Sequence, residues 1–528
     1  MKKYNTILLS IAFAFSAFAQ DSNTIEYNGG KSVSSRTTLW VDGADYSDKD
    51  LLLHSDTGSF YGVKLPTEGT AKTMTYRSLK AVIGSGNTLA LGDYTTAYGT
   101  LNLDANTSEK DFTVFEVADF SMNYANLYIK NTNASPENPL LFKANSMTLV
   151  GGTKGQNQKL YFQTNTNANV ATSTLGRTES NTTGISLIHI SASKTLNWTG
   201  DITLNQCSRL VADGTFNLDG NATFNYASGV LGIGNYGTFK VTSGKTVNLG
   251  SATLEAVYGS YLNIDGGTFL TDGAISLKRT TVKNGTFTQS AGGILIERDV
   301  NVINSSTFTA SDSITLRSPD ATDADGNLIN SARYAKLQIG YDTNDKESKL
   351  IIKSDVNGDS KIIIGKDSFV YLNSENSVQN ENGKHSIIIA TEADASNTNI
   401  EINSNQKLGG IALSNASLKL TMADNALLEL TNIEDAFSSD GGILNIYNFV
   451  ENTIKVGDNV GVKQAIEQYV KLYDAAGIEL DPATVIDGYI AFTTSVPEPA
   501  EWAMLLGAIA LGLAIYRNFY MTGTGGHC

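Results

Sequence analysis

The sequence predicts an all-β protein, a right-handed parallel β-helix, with a short apolar segment at each end of the chain. Three observations lead to this fold class. Short stretches alternate apolar residues with Thr, Asn or Ser, turn-forming dipeptides separate these stretches, and a three-residue motif recurs along the chain. Such alternation, turn punctuation and self-similarity indicate strands, tight turns and stacked repeats respectively.

Alternation with a period of two is clearest in four short segments, 215–218, 246–249, 262–264 and 314–316. Between such segments lie Asp-Gly and Asn-Gly dipeptides, for example Asp265-Gly266 and Asn284-Gly285. Both dipeptides favour tight turns because their residues tolerate positive φ. The body of the chain is therefore predicted to consist of short strands joined by tight turns.

The recurring motif is Gly-Thr-Phe, at 214–216, 237–239, 267–269 and 285–287, with Ser-Thr-Phe at 306–308. Intervals of 18 to 30 residues are typical of a solenoid, in which each coil contributes two or three strands. We expect the Phe side chains to stack between coils in the core, Thr and Asn to line the outside, and some Asn to form internal ladders at corners. A β-sandwich array with the same turn chemistry is the alternative.

The length of the body also favours a solenoid. Residues 20–461 exceed the size at which one hydrophobic core usually stops growing, roughly 250 to 300 residues, and a solenoid avoids that limit because each coil contacts only its neighbours. The architecture resembles bacterial surface β-helix proteins such as autotransporter passenger regions. Residues 462–494 are predicted to be a capping or linker region, because 462–476 has a helical pattern that could cover the last coil.

The N-terminus carries the pattern of a secretory signal peptide, residues 1–19. Lys2 and Lys3 precede an apolar run at 7–18, which ends in Ala17-Phe18-Ala19 before Gln20. A basic start, a short apolar run and a small-x-small site predict cleavage before Gln20. A membrane anchor or a buried helix is the alternative.

The C-terminus combines the motif Pro497-Glu498-Pro499 with an apolar run from 503 to 516 and then Arg517. Roughly 15 apolar residues in a helix reach about 22 Å, which is marginal for a bilayer core of about 30 Å. The three-part tail, 495–517, resembles the PEP-CTERM sorting signal. The alternative is a helix packed on the body, although the run has no polar stripe.

The resemblance implies how the protein is exported and sorted, and it implies nothing about the activity of the body. In that family the tail holds the protein in the inner membrane of a Gram-negative bacterium until an exosortase processes it. The implied partners are therefore the Sec export machinery and an exosortase, with Pro497, Glu498 and Pro499 as the recognition motif and Arg517 as the basic stop. Residues 518–528 depart from the family pattern, which normally ends in several basic residues.

Composition excludes several classes of protein. The net charge is −15, so nucleic acid is not an expected partner, and two Cys and four His leave little material for metal clusters or His-based catalysis. No cofactor is expected. The motif Gly232-x-Gly234-x-x-Gly237 matches a dinucleotide-binding pattern, but it lies in the β repeat and opens no helix, so it is interpreted as turn punctuation.

Asp355, Asn357 and Asp359 form the strongest metal candidate, because they repeat the first positions of a calcium loop. The loop places Lys366 where a bidentate Glu would close the site, so an acidic surface turn is the favoured interpretation.

The predicted function is that of an exported surface or extracellular-matrix protein, structural or adhesive, with polysaccharide as a possible ligand and no enzymatic activity. The 23 Tyr residues support sugar contact, since Tyr offers an apolar face and a hydroxyl. The alternative is a carbohydrate-active β-helix enzyme, either a polysaccharide lyase or a glycosidase. Carboxylates converging with Lys or Arg in one groove would favour that alternative.

Overall fold

The computed structural model describes most of the chain between residues 135 and 493, together with strands before it and a helical segment after it. The described segments are 24–28, 50–54, 72–76, 78–82, 88–91, 99–104, 114–122, 125–130, 135–149, 157–178, 184–257, 259–311, 313–317, 334–341, 344–345, 347–353, 360–380, 385–391, 398–432, 434–493, 508–513 and 515. The chain divides into two compact units, residues 1–292 and 293–528. They are called the N-terminal and C-terminal units.

The N-terminal unit consists of short strands. Its first thirteen are β1 Thr24–Asn28, β2 Asp50–His54, β3 Lys72–Tyr76, β4 Ser78–Val82, β5 Thr88–Leu91, β6 Gly99–Asp104, β7 Val114–Met122, β8 Ala125–Lys130, β9 Leu140–Leu149, β10 Gln158–Phe162, β11 Thr166–Leu175, β12 Ser186–Ile190 and β13 Thr195–Leu204. The next twelve are β14 Ser208–Ala212, β15 Thr215–Asp219, β16 Ala222–Phe224, β17 Val230–Ile233, β18 Thr238–Val241, β19 Thr246–Asn248, β20 Thr253–Ala256, β21 Tyr261–Asp265, β22 Thr268–Thr271, β23 Ile275–Leu277, β24 Arg279–Lys283 and β25 Thr286–Gln289.

The pairings described within the N-terminal unit are parallel. One sheet runs β3-β6-β8-β10-β12-β14-β17-β20, and another runs β5-β7-β9-β11-β13. From β13 onward two ladders continue, because β13 pairs with both β15 and β16. The ladders are β15-β18-β21-β24 and β16-β19-β22-β25, so each coil from β14 to β25 contributes three strands.

The C-terminal unit continues with strands of similar length. They are β26 Ile294–Ile296, β27 Asp299–Ile303, β28 Thr307–Ala310, β29 Ser313–Leu316, β30 Ala335–Ile339, β31 Lys349–Ile352, β32 Lys361–Ile364, β33 Ser368–Leu372, β34 Val378–Asn380, β35 Ile387–Thr391 and β36 Asn399–Ile402. The remaining elements are β37 Gln406–Leu408, β38 Gly410–Ser414, β39 Leu418–Met422, β40 Leu428–Leu430, β41 Phe437–Asp440, β42 Leu444–Tyr447, β43 Ile454–Lys455, α1 Val460–Tyr469, β44 Val470–Leu472, β45 Ala483–Ile486 and β46 Tyr489–Phe492.

Three strands per coil also organise the C-terminal unit. The ladders are β26-β29-β32-β35-β38-β41, then β27-β30-β33-β36-β39-β42-β44, and then β37-β40-β43-β46-β45, with β28-β31-β34 preceding the third. All are parallel except at β46, which pairs antiparallel with β43 and β45. The described chain is therefore mostly β structure in long parallel sheets, as the predicted β-solenoid requires, and the parallel register argues against the sandwich array.

Burial alternates along most strands, so one face of each strand lies in the core and the other faces outward. The inward residues are almost all apolar, and the largest fully buried side chains include Trp198 and seven Phe of the N-terminal unit. Removing this apolar surface from water stabilises each coil by about 25 cal/mol per Å². The outward residues are therefore free to vary without loss of the core.

The Gly-Thr-Phe motif places its Phe in the core, as predicted, but in two separate stacks. Phe216 packs on Phe239 with ring centroids 5.3 Å apart, and Phe269 stacks on Phe287 at 5.5 Å. Each pair occupies one ladder, Phe216 and Phe239 on β15 and β18, and Phe269 and Phe287 on β22 and β25. The 30-residue interval between the motifs at 237–239 and 267–269 is one full coil plus the step to the next strand within a coil. This additional step explains why the motifs are unevenly spaced.

An asparagine pair of the kind predicted at internal corners follows β13 and β16, where Asn225 donates to the Oδ1 of the buried Asn205 at 3.0 Å. A second row, which was not predicted, lies on the outward face, where Asn197 donates to Asn167 Oδ1 at 2.7 Å and Asn217 donates to Asn197 Oδ1 at 2.7 Å. We call Asn167, Asn197 and Asn217 the asparagine ladder. Asn197 both donates to the previous rung and accepts from the next, so neighbouring rungs bond to each other without charge.

Gly200 and Gly220 lie where the ten-residue strands give way to two strands per coil. Gly200 has φ +107°, and a Cβ there would lie 1.7 Å from Val170 O. A Cβ on Gly220 would lie 1.8 Å from Gly200 O. The backbones approach so closely at this corner that only glycine fits at either position.

At the C-terminal end each ladder is covered rather than left open. Helix α1 packs against β41, β44 and β45, and it begins at Asn459, whose Oδ1 accepts from the N–H groups of Gly461 and Val462. The following turn donates Leu480 N–H to Leu472 O, and β46 closes β43. Covering exposed strand edges in this way prevents pairing with other chains.

Only the first part of the stretch 462–476 is helical, because α1 ends at Tyr469 and β44 begins at Val470. Residues 508–513 and 515 are helical. Within the part of the chain that the structure describes, no helix is both long and apolar enough to cross a bilayer. The signal segment, with Ala17, Ala19 and Gln20, lies outside the described residues, as do residues 495–507 and 516–528.

Candidate functional site

An aromatic row lies on the outward face of the N-terminal unit. Tyr128, Tyr161 and His189 occupy equivalent positions on the neighbouring strands β8, β10 and β12. The two tyrosine rings are parallel, with centroids 4.4 Å apart, and His189 meets Tyr161 edge-on at 5.2 Å. Because the flanking residues on each strand point into the core, the ring positions are fixed by the packing beneath them.

Asp213 ends the row. Its Oδ2 lies 2.7 Å from His189 Nε2, and the two side chains are 43% and 16% exposed respectively. His189 Nδ1 is buried and has no hydrogen-bond partner, so the imidazole is held from one side only. Gly234 lies against this carboxylate, since a Cβ there would fall 2.0 Å from Asp213 Oδ1. The aromatic row, Tyr128, Tyr161, His189 and Asp213, thus joins ring surfaces to a partly exposed acceptor.

A second set of rings, each half-buried on the outward face, lies on the C-terminal unit, where lysines accompany the rings. Lys336 Nζ lies 5.0 Å from the ring centre of Tyr371, and Lys419 Nζ lies 4.5 Å from that of Tyr447. Tyr447 stacks on Tyr473 at 4.5 Å. Cation–π contacts of this kind hold each ammonium over the face of a ring.

The pKa values of these tyrosines follow from their surroundings. Burial raises the pKa of Tyr371, and the nearby Glu401 carboxylate raises it further. Burial likewise raises the pKa of Tyr473, with Glu479 adding to the effect. Both phenols therefore stay protonated at neutral pH and can donate hydrogen bonds.

A groove of about 310 Å³ lies on the third ladder of the C-terminal unit. Four outward side chains on successive strands, β37, β40, β43 and β46, form its floor: Lys407, Glu429, Lys455 and Tyr489. We call it the Lys–Glu groove. The rest of the lining comes from the turns before β34, β37, β40 and β43 and from the first residues of β37 and β40. These residues are Glu375, Asn376, Asn405, Gln406, Leu427, Leu428, Asn452 and Thr453.

Glu429 is the centre of the groove's electrostatics. Its Oε2 lies 2.9 Å from Lys407 Nζ and its Oε1 lies 3.1 Å from Lys455 Nζ. Hydrogen bonds from Lys407 and then Lys455 lower the pKa of Glu429, so the carboxylate is ionised at neutral pH. The same contact raises the pKa of Lys455. The groove therefore presents a fixed row of cation, anion and cation.

His385 lies near this row without lining the groove. Burial lowers the pKa of His385, and Lys407 lowers it further, so the imidazole is neutral at neutral pH. Its Nδ1 is buried and has no hydrogen-bond partner. A neutral imidazole beside the Lys407 ammonium adds no positive charge to the groove.

The sequence-predicted site residues lie elsewhere. Pro497, Glu498, Pro499 and Arg517 are outside the described residues, as are Asp355, Asn357 and Asp359. Gly232 and Ile233 end β17 and Gly234 to Gly237 form a turn, so the glycine motif punctuates the β repeat as predicted. Comparison with family models, curated proteins and solved structures finds no match to this chain.

Sequence reasoning missed the aromatic row, although a signal for it exists. Three strands carry an apolar–aromatic–apolar triplet, Leu127-Tyr128-Ile129, Leu160-Tyr161-Phe162 and Ile188-His189-Ile190. In a strand the central residue faces opposite to its neighbours, so two buried residues place the ring outward. Aligning these triplets would have predicted the row.

Proposed function

We propose that this chain is an exported cell-surface or extracellular-matrix protein with a structural and adhesive role, and that it holds polysaccharide on its outward rows. The observation that carries the proposal is the aromatic row, in which two parallel tyrosine rings lead to a His–Asp pair. Sugars present apolar ring faces and a rim of hydroxyls. The outward edges of the stacked tyrosine rings offer an apolar contact for the first, and a carboxylate and an imidazole suit the second.

The direction of the row favours an extended ligand. Neighbouring parallel strands lie roughly 4.8 Å apart, so successive rungs offer contacts at a spacing close to the length of a sugar unit. Both sets of outward-facing rings run across strands rather than along one strand. A glycan lying across the coils would meet one side chain per rung.

The delivery route is part of the same proposal. We infer that residues 1–19 direct Sec export, that the body is a right-handed β-helix, and that an exosortase processes the tail at Pro497-Glu498-Pro499 at the inner membrane of a Gram-negative bacterium. Ile509, Leu511, Leu513 and Ile515 lie on helical residues, and all four are exposed. Exposed apolar side chains of this kind support an apolar tail that a membrane would cover.

A glycan-array screen with the purified chain tests adhesion. We expect binding to at least one class of extended glycan, and at least tenfold weaker binding by the double variant Tyr128→Ala/Tyr161→Ala. Tyr341→Ala is the matched control, because Tyr341 is 65% exposed and lies outside both ring sets. Equal loss in the double variant and the control would contradict the role of the row.

The sorting route has its own test. Pro497, Glu498 and Pro499 are replaced by Ala in the native host, and the size and location of the protein are followed by blotting of membrane and extracellular fractions. We expect the variant to stay in the inner membrane at full length. Unchanged processing would contradict the exosortase assignment.

One observation favours the alternative, a carbohydrate-active enzyme: Glu375, Glu429, Lys407 and Lys455 converge in the Lys–Glu groove. Against it, hydrogen bonds from Lys407 and Lys455 lower the pKa of Glu429, so this carboxylate is ionised at neutral pH and does not act as the acid that protonates a leaving group. Incubation with the glycans found on the array, followed by an assay for new chain ends, separates the two functions. New glycan chain ends that form with wild type but not with Glu429→Gln or Glu375→Gln would show that the chain is an enzyme.

A further inference from the structure

We infer that the Lys–Glu groove is a separate binding site for a neutral sugar residue, recognised through vicinal hydroxyl groups. The groove belongs to the C-terminal unit and shares no residue with the aromatic row. Its volume, about 310 Å³, is at the lower end of the range of small-ligand sites, roughly 300 to 1,000 Å³. That size suits a single sugar unit rather than an extended chain.

The charge of the groove selects for a neutral ligand. Among its lining residues Lys407 and Lys455 are matched by Glu375 and Glu429, so the formal charges cancel. The neighbouring His385 is neutral at neutral pH and does not alter this balance. A carboxylated or phosphorylated ligand would be repelled by the Glu375 and Glu429 carboxylates of the lining, whereas a neutral ligand meets no like charge and leaves both ion pairs in place.

The alternation of donors and acceptors matches a diol. An ammonium has three N–H groups and a carboxylate about four acceptor positions, and each ion pair uses one of each. Lys407, Lys455 and Glu429 are 48%, 50% and 32% exposed at their side chains. A hydroxyl that accepts from a lysine and donates to Glu429 is satisfied in both roles, and adjacent hydroxyls repeat this pattern on the two sides of the carboxylate.

The remaining lining supplies an apolar surface. Leu427 is 51% exposed although it is a large apolar residue, and Tyr489 ends the row on β46. Asn405 Oδ1 accepts from Leu427 N at 3.0 Å, which fixes the leucine turn against the groove. A sugar whose ring face lies on Leu427 and Tyr489 would leave its hydroxyl edge toward the charged row.

Saturation-transfer NMR with the full chain and methyl glycosides tests the site, using neutral hexosides and the corresponding hexuronates. We expect signal from at least one neutral hexoside, at least tenfold weaker affinity in Glu429→Gln, and no change in Tyr128→Ala/Tyr161→Ala. Unchanged binding by Tyr128→Ala/Tyr161→Ala would show that this site binds independently of the aromatic row.

Glu479→Gln is the matched control, because Glu479 also pairs with an exposed lysine, Lys471, at 3.1 Å but lies outside the groove. Circular dichroism melts show whether each variant is folded. Binding of hexuronates in preference to hexosides, undiminished binding by a folded Glu429→Gln, or no signal from any neutral hexoside would each overturn the inference. If Glu429→Gln fails to fold, Lys455→Met replaces it under the same criteria.

Discussion

The asparagine ladder of the N-terminal unit and the row of Lys407, Glu429 and Lys455 in the C-terminal unit, called the Lys–Glu row, are built on the same strand geometry with different chemistry. In the first, amides on successive rungs bond to one another at 2.7 Å and carry no charge. In the second, Glu429 binds a lysine on each neighbouring rung at 2.9 and 3.1 Å. Beneath both, alternate residues are apolar and buried.

The comparison shows how a solenoid separates core packing from the chemistry of its outward face. The inward positions of each coil must be apolar, because they form the core, whereas the outward positions need only satisfy themselves between rungs. A neutral row and a charged row therefore fit the same coil. Differences in function between the two units are expected to lie in the outward rows alone.

The largest expected effects test the shared interior. Phe216→Ala in the N-terminal unit should lower the free energy of unfolding by about 3–5 kcal/mol, and Leu420→Ala in the C-terminal unit by about 2–5 kcal/mol, because both side chains are fully buried. Urea unfolding followed by circular dichroism measures both. Asn217→Ala and Thr421→Ala, at the outward residues next to these positions, are the controls. A control that lowers the free energy of unfolding as much as its inward partner would contradict the comparison.

The next effect concerns the hydrogen bonds that the Asp345 carboxylate accepts in the C-terminal unit, which we call the Asp345 clamp. Asp345 accepts from Ser348 Oγ at 2.7 Å and from the backbone N–H groups of Asn304, Ser305 and Tyr341. Asn304 and Ser305 both have positive φ, which this clamp holds in place. Asp345→Asn turns an acceptor into a partial donor, so we expect a loss of about 1–3 kcal/mol in urea unfolding.

The same clamp predicts a pH dependence. Burial alone would raise the pKa of Asp345, but hydrogen bonds from Ser348 and three backbone N–H groups lower it below its usual 3.8. A carboxylate with a lowered pKa stabilises the folded state above its ordinary pKa, and the contribution is lost as the pH falls through the folded value. The advantage of wild type over Asp345→Asn should therefore begin to shrink as the pH falls below about 4 and continue to shrink as the pH falls further. An advantage that does not change with pH across this acid range would contradict this.

The smallest expected effects are on the stability of the two outward rows. Their dependence on salt concentration distinguishes the asparagine ladder from the row that contains Glu429. Asn197→Ala and Glu429→Gln should each cost about 1 kcal/mol at low ionic strength, since each interrupts a row of surface bonds. Raising salt to 1 M should reduce the cost of Glu429→Gln and leave that of Asn197→Ala unchanged, because only charges are screened. Paired urea titrations at two salt concentrations measure this difference. Equal salt dependence would show that the two rows do not differ as described.

The sequence allowed the fold class to be predicted, but not the sites. Alternation and the Gly-Thr-Phe motif identified the buried Phe positions, because burial on a strand depends on local periodicity. The Lys–Glu groove brings Lys407, Glu429 and Tyr489 together across strands, and nothing local marks them as neighbours. Their contact depends on the lengths of the intervening turns, which fix the register.

The central claim is that an outward row of rings binds glycan while the coil beneath it is unchanged. Isothermal titration of the glycan found on the array into wild type, Tyr161→Phe and Tyr161→Ala tests it most directly. Tyr161→Phe keeps the ring and should bind within about threefold of wild type, whereas Tyr161→Ala should bind about tenfold more weakly, or about 1.4 kcal/mol. Equal affinity for all three folded proteins would contradict the claim.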